Sequence, residues 1–190
     1  MRVLPTDLPG VLILEPKIFA DERGFFLELW NYVRYDEAGL GAAYVQDNVS
    51  LSQTGVLRGL HLQNPKTQAK LVTVLQGEVF DVAVDVRVGS PTFGKWTSVL
   101  LSGDNKRQLY IPEGFAHGFC VTSETALFMY KCSDFYAPDA EVGIAWNDPD
   151  LAIRWPVDQP SLSPRDAKHP RLQDIDRSRL PAYQPDRPAR

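Results

Sequence analysis

Short apolar runs closed by glycine, proline or polar turn residues recur along most of the chain, the spacing of strands in an all-β sandwich or barrel. The segment 79–88, VFDVAVDVRV, alternates without a break. Phe80, Val82, Val84, Val86 and Val88 fall on one face, and Asp81, Ala83, Asp85 and Arg87 on the other. Gly77 precedes it and Gly89-Ser90-Pro91 ends it, as turns require. The polar face suits either solvent or a buried role, and the pattern leaves both open for Asp81 and Asp85. Segments 70–75 (KLVTVL), 96–101 (WTSVLL), 108–111 and 126–130 are also predicted strands, rich in β-branched or aromatic residues. One short helix is expected over residues 32–38, capped by Asn31 and ended by Gly39 and Gly41. After Trp155 the pattern changes, and seven of the 15 prolines lie there among polar residues. This proline-rich tail is expected to cover the barrel as loop and short helix, with 184–190 frayed.

Composition narrows the classes. The chain has 190 residues with 20 Lys+Arg and 24 Asp+Glu, a formal net charge of −4. That length predicts one domain spanning 1–190, with its core over about 11–166. The mild acidity provides no footprint for a polyanion, so nucleic acid is excluded as a partner, although a few local cations could hold a small anion. The first ten residues, MRVLPTDLPG, do not read as a signal peptide. The next apolar stretch, 11–14, stops at Glu15, far short of the roughly 20 residues that span a bilayer. A protein without membrane contact, in the cytoplasm, is expected. Cys120 and Cys132 are read as free thiols packed in strands rather than as a disulfide framework.

Only three histidines are present, so each can be weighed singly. If 58–63 (RGLHLQ) is a strand, His61 shares a face with Gly59 and Gln63, away from Leu60 and Leu62. His117 ends a Pro112-x-Gly114-x-x-His117 turn that resembles the second motif of the cupin barrels, where the histidine points inward. His169, between Lys168 and Pro170 in the tail, is expected to be a solvated surface residue. Metal-binding cupins have two histidines and a glutamate in their first motif. Here the matching stretch offers His61, Gln63 and Lys70, an ammonium repels a divalent ion, and amide oxygen is a poor ligand for zinc or iron. No metal and no other cofactor is expected. An interior that collects Arg58, His61, Lys70, Asp81 and His117 would be costly unless these groups pair or bind ligand.

Several blocks in collinear order between about 11 and 166 carry a resemblance to one family. They are DERGFF (21–26), QDN (46–48), LRGLH (57–61), GEVFDVAVD (77–85), IPEGFAHGF (111–119), Tyr130-Lys131, WNDP (146–149) and LSPRD (162–166). Together they resemble dTDP-4-dehydrorhamnose 3,5-epimerases, and that resemblance implies a cupin-type jelly-roll β-barrel and an isomerase. Inverting a carbon beside a ketone requires a base on one side, an acid on the other and stabilisation of the enolate between them. The resemblance implies His61 as base, Asp166 as its carboxylate partner and Tyr130 as acid on the opposite face. Lys70 and His117 match residues of the sugar pocket, with Lys70 assigned to the enolate oxygen and His117 to the sugar or to Asp81. A guanidinium suits a diphosphate, which is the place given to Arg58.

Nucleotide contacts are implied at Arg23, Phe26, Glu28, Gln46, Asp47, Asn48 and Glu141, with Tyr136 stacked on thymine. Arg165 stands where the family often has lysine before the dyad aspartate, which keeps the charge and changes the geometry. The implied assembly is a homodimer in which N-terminal strands of one subunit extend the sheet of the other and reach its nucleotide site. Three alternatives stay open from sequence: a 3-epimerase acting at C3 only, a sugar-nucleotide-binding cupin without catalysis, and a metal-dependent cupin enzyme.

Overall fold

The computed structural model describes residues 1–40 and 43–185. Strands β1 (Arg2–Pro5) and β2 (Leu12–Glu15) open the chain, followed by a separate two-stranded arm of β3 (Ile18–Asp21) and β4 (Gly24–Leu27). Helix α1 (Tyr32–Glu37) comes next, with the Asn31 side chain accepting from the Arg34 N–H at 3.2 Å. Gly39 follows at φ +77°, a conformation open to glycine, whereas Gly41 lies outside the described residues. Strands β5 (Gln46–Gln53), β6 (Leu57–Gln63), β7 (Lys70–Gln76), β8 (Glu78–Asp85), β9 (Trp96–Ser102), β10 (Gln108–Ile111), β11 (Phe115–Val121), β12 (Thr125–Cys132) and β13 (Glu141–Gly143) complete the barrel.

These strands form two antiparallel sheets. One runs β1-β2-β10-β7-β12-β5 and the other β13-β6-β11-β8-β9. The expected strands over 70–75, 96–101, 108–111 and 126–130 are all present. Between the sheets lies an apolar core that includes Val72, Val74, Val79, Leu101, Phe115, Phe119 and Phe128. A second core covers the outer face of the five-stranded sheet. There Leu60, Leu62, Val82 and Val84 meet Leu172, Ile175 and Leu180 from the tail. Each such side chain removed from water contributes about 1.5–3 kcal/mol, so the tail extends the core beyond residue 166.

Both faces of β8 are therefore buried. The valine face lies under the tail, while Asp81 and Asp85 point inward and are fully buried. The strand ends at Asp85, short of the expected residue 88, because that carboxylate turns the chain. It accepts from the Arg87 N–H at 3.0 Å, the Arg87 guanidinium at 2.7 Å and the Ser90 and Thr92 hydroxyls. The tail contains three short 3-10 turns, Asp166–Lys168, Leu172–Asp174 and Arg177–Arg179, as expected of loop with short helix. Of the segment expected to fray, 186–190 lies outside the described residues.

Candidate active site

Side chains from the two opposed sheets line an open cavity of about 280 Å³. His61 and Gln63 enter from β6, and Tyr130 and Cys132 from β12. Lys70 enters from β7, and Gln46 and Asn48 from β5.

A bulge in β6 arranges the first wall. His117 on β11 pairs with His61, but Phe119 pairs with Arg58, so β6 holds one extra residue between them. Residues directly opposite in an antiparallel pair project to the same face. Arg58 and His61 thus point to the same side despite their odd spacing. Gly59 makes this possible at φ +117°, since a Cβ there would lie 2.6 Å from Gly118 Cα and 2.7 Å from the His117 carbonyl oxygen. Arg58 donates to Ser52 Oγ at 3.1 Å and is close enough for its charge to favour the Tyr130 phenolate.

His61 Nε2 lies 2.6 Å from Asp166 Oδ1, which leaves Nδ1 as the nitrogen available to the cavity. Burial pushes the Asp166 carboxyl up, but hydrogen bonds from His61 and Ser163 and the neighbouring imidazoles outweigh it, and the group is held below its ordinary value. A carboxylate in that state orients the ring and stabilises its protonated form. Across the cavity, burial raises Tyr130 above the ordinary phenol value, so it remains a proton donor. The Lys70 Nζ is 5.9 Å from the centre of the Tyr130 ring and finds no hydrogen-bond partner among the described residues. Burial lowers its pKa, against the opposing influence of Cys132, Asp81 and Glu141.

Of the two places expected for His117, at the sugar or beside Asp81, the structure shows the contact with Asp81. His117 is buried behind His61, with Nε2 3.0 Å from both Asp81 oxygens and its ring stacked on Phe128. Strand parity does identify the Asp81 pairing. Burial lowers His117 and raises Asp81, which favours a pair without separated charges.

At the cavity mouth, the Tyr136 hydroxyl donates to Glu141 at 2.7 Å and its backbone N–H donates to Gln46 at 2.9 Å. Arg165 closes this network with a 3.0 Å ion pair to Glu141. Four further expected residues lie apart from the cavity within one chain. Asp47 points to the opposite face of β5 and meets Lys131 at 2.9 Å. Glu28 pairs with Arg34 at 2.7 Å. Arg23 and Phe26 lie on the β3–β4 arm, which hydrogen-bonds to neither barrel sheet, and Arg23 is tied to Asp21.

The tail histidine corrects the sequence expectation most clearly. His169 is not solvated: its side chain is 11% exposed, and its Nε2 approaches Asp166 Oδ1 to 3.2 Å. It caps the 3-10 turn that Asp166 opens, and the Asp166-x-x-His169 spacing was the signal that its proline-rich setting hid. Among the described residues, His61, Asp166 and His169 form the one group whose possible metal-ligand atoms lie within 4.8 Å of one another. Cys132 and Gln68 also line the cavity without having been singled out for it; Cys132 shares its strand face with Phe128 and Tyr130, so period two could have found it. Both cysteines are free and buried, as expected.

A model of the family described as dTDP-4-dehydrorhamnose 3,5-epimerase matches residues 5–174. The chain belongs to that family. The dTDP-4-dehydrorhamnose 3,5-epimerase of Shigella flexneri is 56% identical over 178 residues, covering 93% of this chain and 98% of that protein. That of Pseudomonas aeruginosa is 52% identical, with the same coverage of each. A dTDP-6-deoxy-D-glucose-3,5-epimerase from Legionella pneumophila, solved in complex with dTDP-4-keto-L-rhamnose, superposes with a TM-score of 0.94 at 56% identity, over 96% of this chain and 98% of that one. A 3'-monoepimerase from Streptomyces bikiniensis, solved with dTDP-quinovose, gives a TM-score of 0.89 at 38% identity, over 95% and 93%. The epimerase barrel is therefore common to enzymes named for two inversions and for one. No helix among the described residues of this family member is long and apolar enough to cross a membrane.

Proposed function

We propose that this epimerase inverts C3 and C5 of dTDP-4-keto-6-deoxy-D-glucose to give dTDP-4-dehydro-L-rhamnose. One observation carries the reading: an imidazole on the five-stranded sheet and a phenol on the six-stranded sheet line a single cavity from opposing walls. His61 Nδ1 takes the proton from the carbon beside the C4 ketone, and Asp166 steadies the imidazolium that forms. Negative charge moves to the ketone oxygen, where the Lys70 ammonium stabilises it more strongly than it did the neutral carbonyl. Tyr130 then returns a proton from the other face, and the centre is inverted. Every step uses side chains of this chain and none requires a metal. Arg58 is assigned to the diphosphate and Tyr136, Glu141, Gln46 and Asn48 to the nucleotide, with Arg165 holding Glu141.

Arg23, Phe26, Glu28 and Asp47 enter this reading through a second copy. We assign the β3–β4 arm to the β5 edge of a partner subunit, giving a homodimer with exchanged arms. Exposed apolar surface supports this at both places, with Phe26 and Leu51 each 68% exposed. One catalytic domain in a reducing cytoplasm fits the two free thiols.

A second reading, inversion at C3 alone, draws on the similarity to the 3'-monoepimerase. Incubation with dTDP-4-keto-6-deoxy-D-glucose in deuterated water distinguishes the two. Deuterium at C3 and C5 is expected, label at C3 alone would establish the second reading, and no label would mean binding without catalysis.

A further inference from the structure

Asp166 and His169 stand at the two ends of a 3-10 turn, and with about three residues per turn their side chains project from the same side. Both meet His61. The His61 and His169 rings are edge-to-face at 5.5 Å, and both Nε2 atoms approach the same oxygen, Asp166 Oδ1, at 2.6 and 3.2 Å. The His169 Nε2 is buried and makes no well-aligned hydrogen bond. Its ring occupies space that only a glycine leaves, since a Cβ on Gly143 would lie 2.1 Å from His169 Cε1. Gly143 pairs in register with His61 across β13 and β6, so three elements hold the cluster.

Two imidazoles and one carboxylate are the donor set of many three-ligand zinc sites. Ligand atoms at about 2.0–2.2 Å from a tetrahedral ion lie about 3.3–3.5 Å apart, so His169 already stands at the right separation from Asp166 Oδ1 and His61 must retreat slightly. Two cations oppose the ion in part: the Arg165 charge reaches His169 but is paired with Glu141 at 3.0 Å, and Lys70 lines the same cavity as His61 but from the other sheet.

We infer that His61, Asp166 and His169 form an inhibitory site for a zinc-type divalent ion. Coordination uses the Nε2 lone pair of His61, so the proton of the neutral ring moves to Nδ1, the nitrogen that faces the cavity. The ion also takes the Asp166 carboxylate, and the ring has no lone pair left for a substrate C–H. The site itself is independent of the proposed reaction; the inhibition rests on His61 being its base.

Zinc titration of the chelator-treated full-length enzyme tests this, with binding followed by calorimetry and by the visible spectrum of Co²⁺ as a stand-in, and epimerisation assayed in parallel. One ion per chain is expected, with activity falling as the site fills, returning on chelation and unaffected by Mg²⁺. His169→Gln and His169→Ala are each expected to weaken binding by at least about tenfold, the loss that even outer-shell changes cause. Unchanged melting temperature and dTDP affinity certify the fold of each variant, and Asp166→Asn provides a third binding measurement should either His169 variant fail them. No binding, or binding indifferent to all three substitutions, overturns the site. Loss of activity on chelation would make the ion a required cofactor and overturn inhibition. Binding that depends on His169 yet leaves turnover intact would uphold the site and refute His61 as base.

Discussion

Asp166 illustrates how much one residue depends on its setting. A carboxyl at this depth would ordinarily resist ionisation, yet the imidazole at 2.6 Å and the Ser163 hydroxyl, which accepts from the Asp166 N–H at 3.0 Å and bonds the carboxyl in turn, keep it charged. His61→Ala and Asp166→Asn are each expected to lower turnover by about 10²–10⁴-fold, the range of a positioned general base, while dTDP affinity stays near that of the parent. Steady-state kinetics beside calorimetric dTDP binding would check both. Tyr130→Phe removes only the donor proton. Hydrogen lost from the substrate to deuterated water should then continue while inverted product falls, and an equal fall in both would remove Tyr130 from the role of acid.

Elements place these residues through small irregularities. The β6 bulge lets Arg58 and His61 face the same way, and it depends on a residue without a side chain at 59. Gly59→Ala introduces a Cβ against the β11 backbone at a positive φ, and should cost roughly 2–4 kcal/mol. Chemical denaturation would read the loss, and an unchanged midpoint would mean that β11 yields easily. The turn after β8 has an electrostatic counterpart. Burial raises Asp85, but Arg87, Ser90 and Thr92 outweigh it and hold the carboxyl below its ordinary value of 3.8. A depressed native pKa contributes stability that is present above the unfolded value and lost as pH falls through the native one. Asp85→Asn should therefore be clearly less stable than the parent at pH 7, with the gap in melting temperature closing below about pH 4.

At the scale of the whole molecule, the described chain leaves two apolar surfaces uncovered. The arm carries Phe19, Phe25 and Phe26, and the edge strand β5 carries Val49 and Leu51, all more than half exposed. Burying them against each other in a second copy would also close the hydrogen-bonding edge of β5. Phe26→Glu is expected to shift sedimentation from dimer toward monomer and to weaken dTDP binding with it. A dimer that survives the substitution would place the interface elsewhere.

Much was legible in the chain itself. Alternation over 79–88 marked a strand with two unlike faces, and Asn31 marked the start of the helix, because period and capping are local chemistry. Linear order also pointed to His61 and Tyr130, which lie in short, distinctive blocks and both line the cavity. It could not say which face of β8 looks inward, because a tail folded over the outside buries the valines as thoroughly as the barrel buries Asp81. Nor could it see His169 as a neighbour of His61, a contact 108 positions apart in number. Period and propensity are properties of neighbours along the chain. Which wall a side chain faces, and what covers it, depends on surfaces brought together only when the two sheets close and the tail docks.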